Sequence, residues 1–177
     1  TYDSQGRVLS YVRLTQDGSR APIVREETLA DNQYNKLGRL LESKVRTTDG
    51  DRVVETETTN SFYDLFGRVK TYDRTTTEYD SGWVSGDLSI KQTRESTNAQ
   101  LEYNGLGQIF ISNLHFHEIS KIDSLPMDRE YDLKTTSTKY DLNGRVARQE
   151  RVNTDRNKVT TETSTSVTLS ARRVSVA

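Results

Sequence analysis

His115-Phe116-His117 sets two imidazoles two residues apart, so on a β-strand both rings leave the same face. That spacing suits Zn²⁺ or Cu²⁺. The neighbouring sequence supplies no third ligand, because Glu118 falls on the opposite face, and two exposed strand histidines are the simpler reading. Glu55 and Glu57 also share a strand face and have the residue types of a glycoside-hydrolysing carboxylate pair. Arg and Lys on neighbouring strands would make them cross-strand ion pairs instead. Asp49 with Asp51, and Asp123 with Asp128, crowd carboxylates into turns where Ca²⁺ would find oxygen ligands. Neither pair follows an EF-hand or nonapeptide pattern. Trp83 and Tyr79, in a long loop, offer rings for stacking on a sugar or for packing the turn. Gly-x-Ser-x-Gly, P-loop and dinucleotide fingerprints are absent from the chain. The expectation is a protein with no catalytic residue, no cofactor and no bound metal.

A different pattern organises the whole chain. Tyr2-Asp3-Ser4-Gln5-Gly6-Arg7 returns as Tyr34-Asn35-Lys36-Leu37-Gly38-Arg39, Tyr63-Asp64-Leu65-Phe66-Gly67-Arg68, Tyr103-Asn104-Gly105-Leu106-Gly107-Gln108 and Tyr140-Asp141-Leu142-Asn143-Gly144-Arg145. The tyrosines stand at 2, 34, 63, 103 and 140, so successive copies start 32, 29, 40 and 37 residues apart. The chemistry is that of a tight hairpin. Asp or Asn opens the turn by accepting a backbone N–H two residues on. Two permissive residues follow, and Gly takes the φ > 0 position of the bulge that closes a type I turn. Gly107, not Gly105, is the bulge residue of the fourth copy. Tyr and Arg flank the turn, and each arginine is expected to lie along the tyrosine ring of its own module, a contact of about 0.5–1 kcal/mol when exposed. These twenty positions read as a structural turn motif: a Tyr-Asp pair here shapes the chain and does no catalysis.

Between motif turns the chain must turn a second time. Asp49-Gly50-Asp51 is a strong hairpin signal. Gln16-Asp17-Gly18 and Asn153 to Asn157 serve the first and fifth modules, and longer loops near Asp80 to Trp83 and Ile122 to Met127 serve the third and fourth. The resulting fold is all-β, an antiparallel meander of about ten long strands within one array spanning residues 1–177. The alternating tail from Thr161 to Val176 reads as a terminal edge strand. The chain holds 177 residues, 32% hydrophobic, with net charge -1 and no cysteine. So few apolar residues suit a sheet wetted on one or both faces. Balanced charge gives no basic patch, so nucleic acid is not implied, no run is long and apolar enough for a membrane helix, and there is no signal-peptide pattern. Thr1-Tyr2-Asp3 opens inside a motif, which reads as a processed chain or a piece of a longer array.

The module resembles the YD repeat, also called the RHS repeat. The resemblance rests on Tyr2, Asp3, Gly6 and Arg7 and their counterparts, with Val8, Leu40, Val69, Ile109 and Val146 after the Arg or Gln. It implies hairpins winding in a continuous curved or spiral sheet, a tube, shell or fibre subunit, as in bacterial surface proteins, toxin cages and teneurins. The family's carboxy-terminal core, with its Asp-Pro-x-Gly element and self-cleaving aspartates, has no match here. The expected function is therefore structural: an extracellular or cell-surface repeat protein that pairs with copies of itself through terminal edge strands. An adhesin or module binding surface glycans through the loops at Trp83 and Pro126, and a fragment of a toxin-encapsulating cage, are the alternatives.

Overall fold

Runs of Thr, Val, Tyr and alternating charge favour extended backbone, because branched and aromatic side chains pack well across a pleat. The computed structural model describes residues 1–16, 23–82, 90–120, 126–141, 143–156 and 158–165. They form ten strands: β1 (Val12–Thr15), β2 (Val24–Tyr34), β3 (Leu40–Asp49), β4 (Arg52–Tyr63), β5 (Val69–Asp80), β6 (Lys91–Tyr103), β7 (Ile109–Ser120), β8 (Met127–Tyr140), β9 (Val146–Asp155) and β10 (Lys158–Thr165). All belong to one antiparallel meander sheet whose spatial order is the chain order. Among the described residues β1 and β10 are the outer strands and do not pair with each other; the sheet is open and not a barrel. No helix occurs among the described residues.

The motif turns join β2 to β3, β4 to β5, β6 to β7 and β8 to β9, and therefore line one edge of the sheet. At the opposite edge Gly50, with φ 59, and Asp51 form the two-residue turn between the paired residues Asp49 and Arg52. Arg156, with φ 51, turns β9 into β10. The expected turns at Asp17-Gly18, Trp83, Asp123 and Asn157 lie outside the described residues, as does the tail beyond Thr165. Tyr79 is not in a loop, as the sequence reading has it, but near the end of β5, opposite Val53. The strand runs up to Asp80, where the turn signal stands, and pairing with β4 includes Tyr79 in it.

The register sorts the side chains into two faces, since residues opposite each other share a face. One row runs Ser43, Thr58, Arg74, Glu95, Phe116, Tyr131 across β3 to β8. A parallel row on the other face runs Lys44, Glu57, Thr75, Arg94, His117, Glu130. We call these the tyrosine face and the charged face. The strands entering motif turns, β2, β4, β6 and β8, each carry a register shift just before their tyrosine. Asn60, at φ 52, sits in one of these bulges, and its side chain bonds Asp73 Oδ2 at 2.6 Å. The core is thin: among the described residues only Val53 and Leu101 are buried hydrophobics.

Candidate functional site

Each motif turn is built by its Asp or Asn. In the third, Asp64 Oδ1 accepts the backbone N–H of Phe66 and of Arg68, both at 2.9 Å. Asp3, Asn35, Asn104 and Asp141 make the same two bonds in their turns, at 2.8 to 3.0 Å. The backbone closes around them: Gly67 N–H donates to Asp64 O at 3.1 Å and Asp64 N–H to Arg68 O at 2.9 Å. Gly67 takes φ 86, as the bulge requires, whereas Gly107 and not Gly105 has the positive φ in the fourth turn. The turn chemistry is thus local, and the sequence pattern states it fully.

The arginines do something the sequence reading misplaced. The guanidinium of Arg7 lies 4.9 Å from the ring centre of Tyr34, that of Arg39 lies 5.7 Å from Tyr63, and that of Arg68 lies 4.6 Å from Tyr103. Each arginine covers the tyrosine of the next module, not of its own. The cause is the bulge. It makes the residue after Arg, not Arg itself, the strand partner of the tyrosine, as in Tyr63 opposite Val69 and Tyr103 opposite Ile109. The arginine is left to reach across the hairpin stack. Arg7 Nη1 donates to Asn35 O at 3.1 Å and Arg39 Nη1 to Asp64 O at 2.6 Å. In return the tyrosine hydroxyl bonds the previous module: Tyr34 to Val8 O at 2.6 Å, Tyr63 to Leu40 O at 2.5 Å, Tyr103 to Val69 O at 2.5 Å, and Tyr140 to Ile109 O. Gln108, standing where the others have Arg, reaches Gly144 O at 3.3 Å. The five turns therefore form a ladder with a direction.

Two further regularities escape a reading that treats all five modules alike. The first, third and fifth turns open with Asp3, Asp64 and Asp141; the second and fourth open with Asn35 and Asn104. Asp3 and Asp64 hold their own arginines by ion pairs at 2.5 and 2.6 Å, while Asn104 holds Gln108 Oε1 through Nδ2 at 2.7 Å. In the first and third modules Tyr11-x-Arg13 and Tyr72-x-Arg74 face a glutamate across the strand pair. Tyr11 donates to Glu26 Oε1 at 2.6 Å and Tyr72 donates to Glu95. Thr28 and Thr97 accept the backbone N–H of these tyrosines at 3.0 and 3.2 Å. The structural repeat is thus a pair of hairpins, four strands wide. The signal was present in the two segments Arg25-Glu26-Glu27-Thr28 and Arg94-Glu95-Ser96-Thr97. Where the first and third modules have these tyrosines, the second and fourth have Ser43 and Ser112, which flank Tyr72 in a concavity of about 500 Å³.

The electrostatics follow the same geometry. N–H donation from Arg7 outweighs burial and holds the Asp3 carboxyl below its ordinary value. At Asp64 burial pushes upward, but the N–H groups of Arg68 and Phe66 and the guanidinium win, and its value also falls. Burial, then the hydrogen bond to Glu95, pushes the Tyr72 phenol well above its usual range. A phenol held protonated in this way is a hydrogen-bond donor that braces two strands.

The remaining candidates resolve into cross-strand pairs. Glu55 accepts from Arg46 at 2.7 Å and from Tyr79 at 2.6 Å, and Glu57 meets Lys44 at 3.3 Å. His115 and His117 do share a face, opposite Asp132 and Glu130 of β8. Their rings bond Asp132 Oδ1 at 2.9 Å and Asp128 Oδ1 at 2.8 Å. Among the described residues no three His, Asp or Glu side chains converge as a metal shell. Asp51 takes the hydroxyl of Ser81 at 3.4 Å. Trp83 and Asp123 lie outside the described residues. No helix among the described residues is long and apolar enough to cross a membrane. No protein-family model, curated protein or solved structure matches this chain.

Proposed function

We propose that this chain is a structural repeat protein of the YD type, an extendable sheet that associates with copies of itself into a tube, shell or fibre. The observation that supports this reading is the direction of the turn ladder. The first three turns each lay a cation on the tyrosine ring of the next module, the fourth reaches its successor through the Gln108 amide, and each successor returns a tyrosine hydroxyl. Inside the stack Arg7, Arg39, Arg68 and Gln108 are half-buried, as are Tyr34, Tyr63, Tyr103 and Tyr140. At the two ends the same groups are exposed: Tyr2 at 70% and Arg145. These ends present opposite halves of one contact, a heterologous pairing that propagates unless it closes into a ring. A further module, in the same polypeptide or in a second copy, would meet the hydroxyl contact already used four times and the cation contact used three times. Among the described residues β1 and β10 are the outermost strands of the sheet, and both are exposed along their described lengths. The cell surface or the extracellular space is the setting that the YD-repeat resemblance implies.

Negative-stain electron microscopy of the purified chain tests the proposal. Tubes, fibres or closed shells are expected, and Tyr2→Ala or Arg145→Ala should abolish them while leaving the β-sheet circular dichroism unchanged. Dispersed particles from the wild-type chain, or assemblies unchanged in both variants, would overturn it.

A further inference from the structure

The sheet is a single layer, and stable domains bury such a face against a second layer. The area shows how much is left uncovered. The chain exposes 12828 Å². A folded monomer of 20.2 kDa exposes about 8,800 Å² on the usual size scaling, so this chain leaves more surface in water than a domain of its mass. A stable protein interface needs roughly 800 Å² from each partner.

The two faces differ in what they offer at the centre of the sheet. On the charged face β7 and β8 carry His115, His117, Glu130 and Asp132. On the tyrosine face the same strands carry Leu114 opposite Leu133 and Phe116 stacked on Tyr131, ring centres 5.1 Å apart. Leu114 also lines the 500 Å³ concavity around Tyr72 and Leu101, so the apolar residues of β7 and β8 adjoin a recess that Leu41, Tyr63, Val69 and Tyr103 help to line. Its charges are matched within the face. Glu95 is bonded by Tyr72 and stands opposite Arg74; Glu118 is bonded by Tyr131 at 3.2 Å and stands opposite Arg129. A patch that is apolar at its centre, neutral in its paired charges and extended along the strands has no need of an oppositely charged partner. A second copy of the same face, apolar and neutral in the same way, would be a suitable partner.

We infer that the tyrosine face is the inner face of a two-layer sandwich whose second layer is another copy of this chain. The two sheets would pack about 10 Å apart with the strands within about 30° of each other. The contact is isologous and closes at two copies, unlike the turn ladder, so it is independent of edge extension and lies on a perpendicular surface.

Sedimentation equilibrium of the Arg145→Ala chain, in which edge growth is blocked, should give twice the 20.2 kDa monomer mass at micromolar concentration. Phe116→Lys, and separately Thr76→Lys, place an unpaired ammonium on the tyrosine face and should return the mass to that of a monomer. Thr76 is a polar strand residue between Thr56 and Thr93, so its replacement spares the sheet even if the loss of Phe116 does not. Thr75→Lys, on the charged face, should leave the dimer intact. A monomer at every concentration up to about 100 µM, a Thr76→Lys chain that remains dimeric, or dissociation by Thr75→Lys instead would each overturn the inference.

Discussion

The contact between Arg68 and Tyr103 can be measured against the one a local reading would choose. The Arg68 guanidinium lies 4.6 Å from the ring centre of Tyr103, two strands away, and it also pairs with Asp64 at 2.6 Å within its own turn. Arg68→Ala removes both interactions, and Tyr103→Leu removes the ring together with its bond to Val69 O. Neither single loss isolates the stacking, but a double-mutant cycle does. A cation over a half-buried ring at this distance contributes about 1 kcal/mol, the upper end of the exposed range. Little of it is desolvated, so a larger coupling is not expected. The parallel cycle of Arg68 with Tyr63, the tyrosine of its own module, should give a coupling near zero, since the ring of Tyr63 is covered by Arg39. Urea denaturation followed by far-UV circular dichroism reads both cycles, with midpoints compared at a common m value. A coupling of similar size for Tyr63, or none for Tyr103, would refute the assignment of arginine to the succeeding module.

Gly67→Val should destabilise the sheet by about 1–3 kcal/mol, because a β-branched residue resists positive φ; the cost is backbone strain and not a clash, since a Cβ would meet the Arg39 guanidinium at an ordinary 3.5 Å. Gly105→Val meets open space and has no positive φ, so its thermal melt should move far less; equal shifts would remove the bulge assignment. Asp3 and Asp64 have folded values below the ordinary 3.8, so their contribution is present above that pH and lost as acidification passes through the folded values. Asp64→Asn keeps the Oδ1 acceptor that Asn35 and Asn104 use, and it should flatten the fall in stability below about pH 4; an unchanged acid limb in a pH series of melts would contradict this. Chelator treatment should leave the Tm in place, and a drop of more than about 5 °C would make the acidic turns ion sites.

What the sequence determined by itself is the part of the fold that is local. Type I turn plus bulge is a matter of six consecutive residues, so Asp64, Gly67 and their counterparts announce it wherever they recur. Ten strands follow from five such turns and the second turns between them, because antiparallel neighbours need only a short connection. The kinship of the first module with the third leaves a trace in Asp3 and Asp64 against Asn35 and Asn104, but a turn that accepts either residue does not reveal it. What only the tertiary structure decided depends on parity and on neighbours. One bulge residue changes which side chain faces Tyr103, so Arg68 covers a ring 35 residues later in the chain. The carboxylates opposite His115 and His117 come from β8, whose register depends on bulges and pairing rather than on spacing from the histidines. Likewise Leu114, Phe116, Tyr131 and Leu133 become one apolar surface only when β7 and β8 align, since each strand alone shows little more than alternation. Local rules specify turns within a few residues, whereas faces arise from the summed register of many strands, and a shift of one position anywhere reverses them.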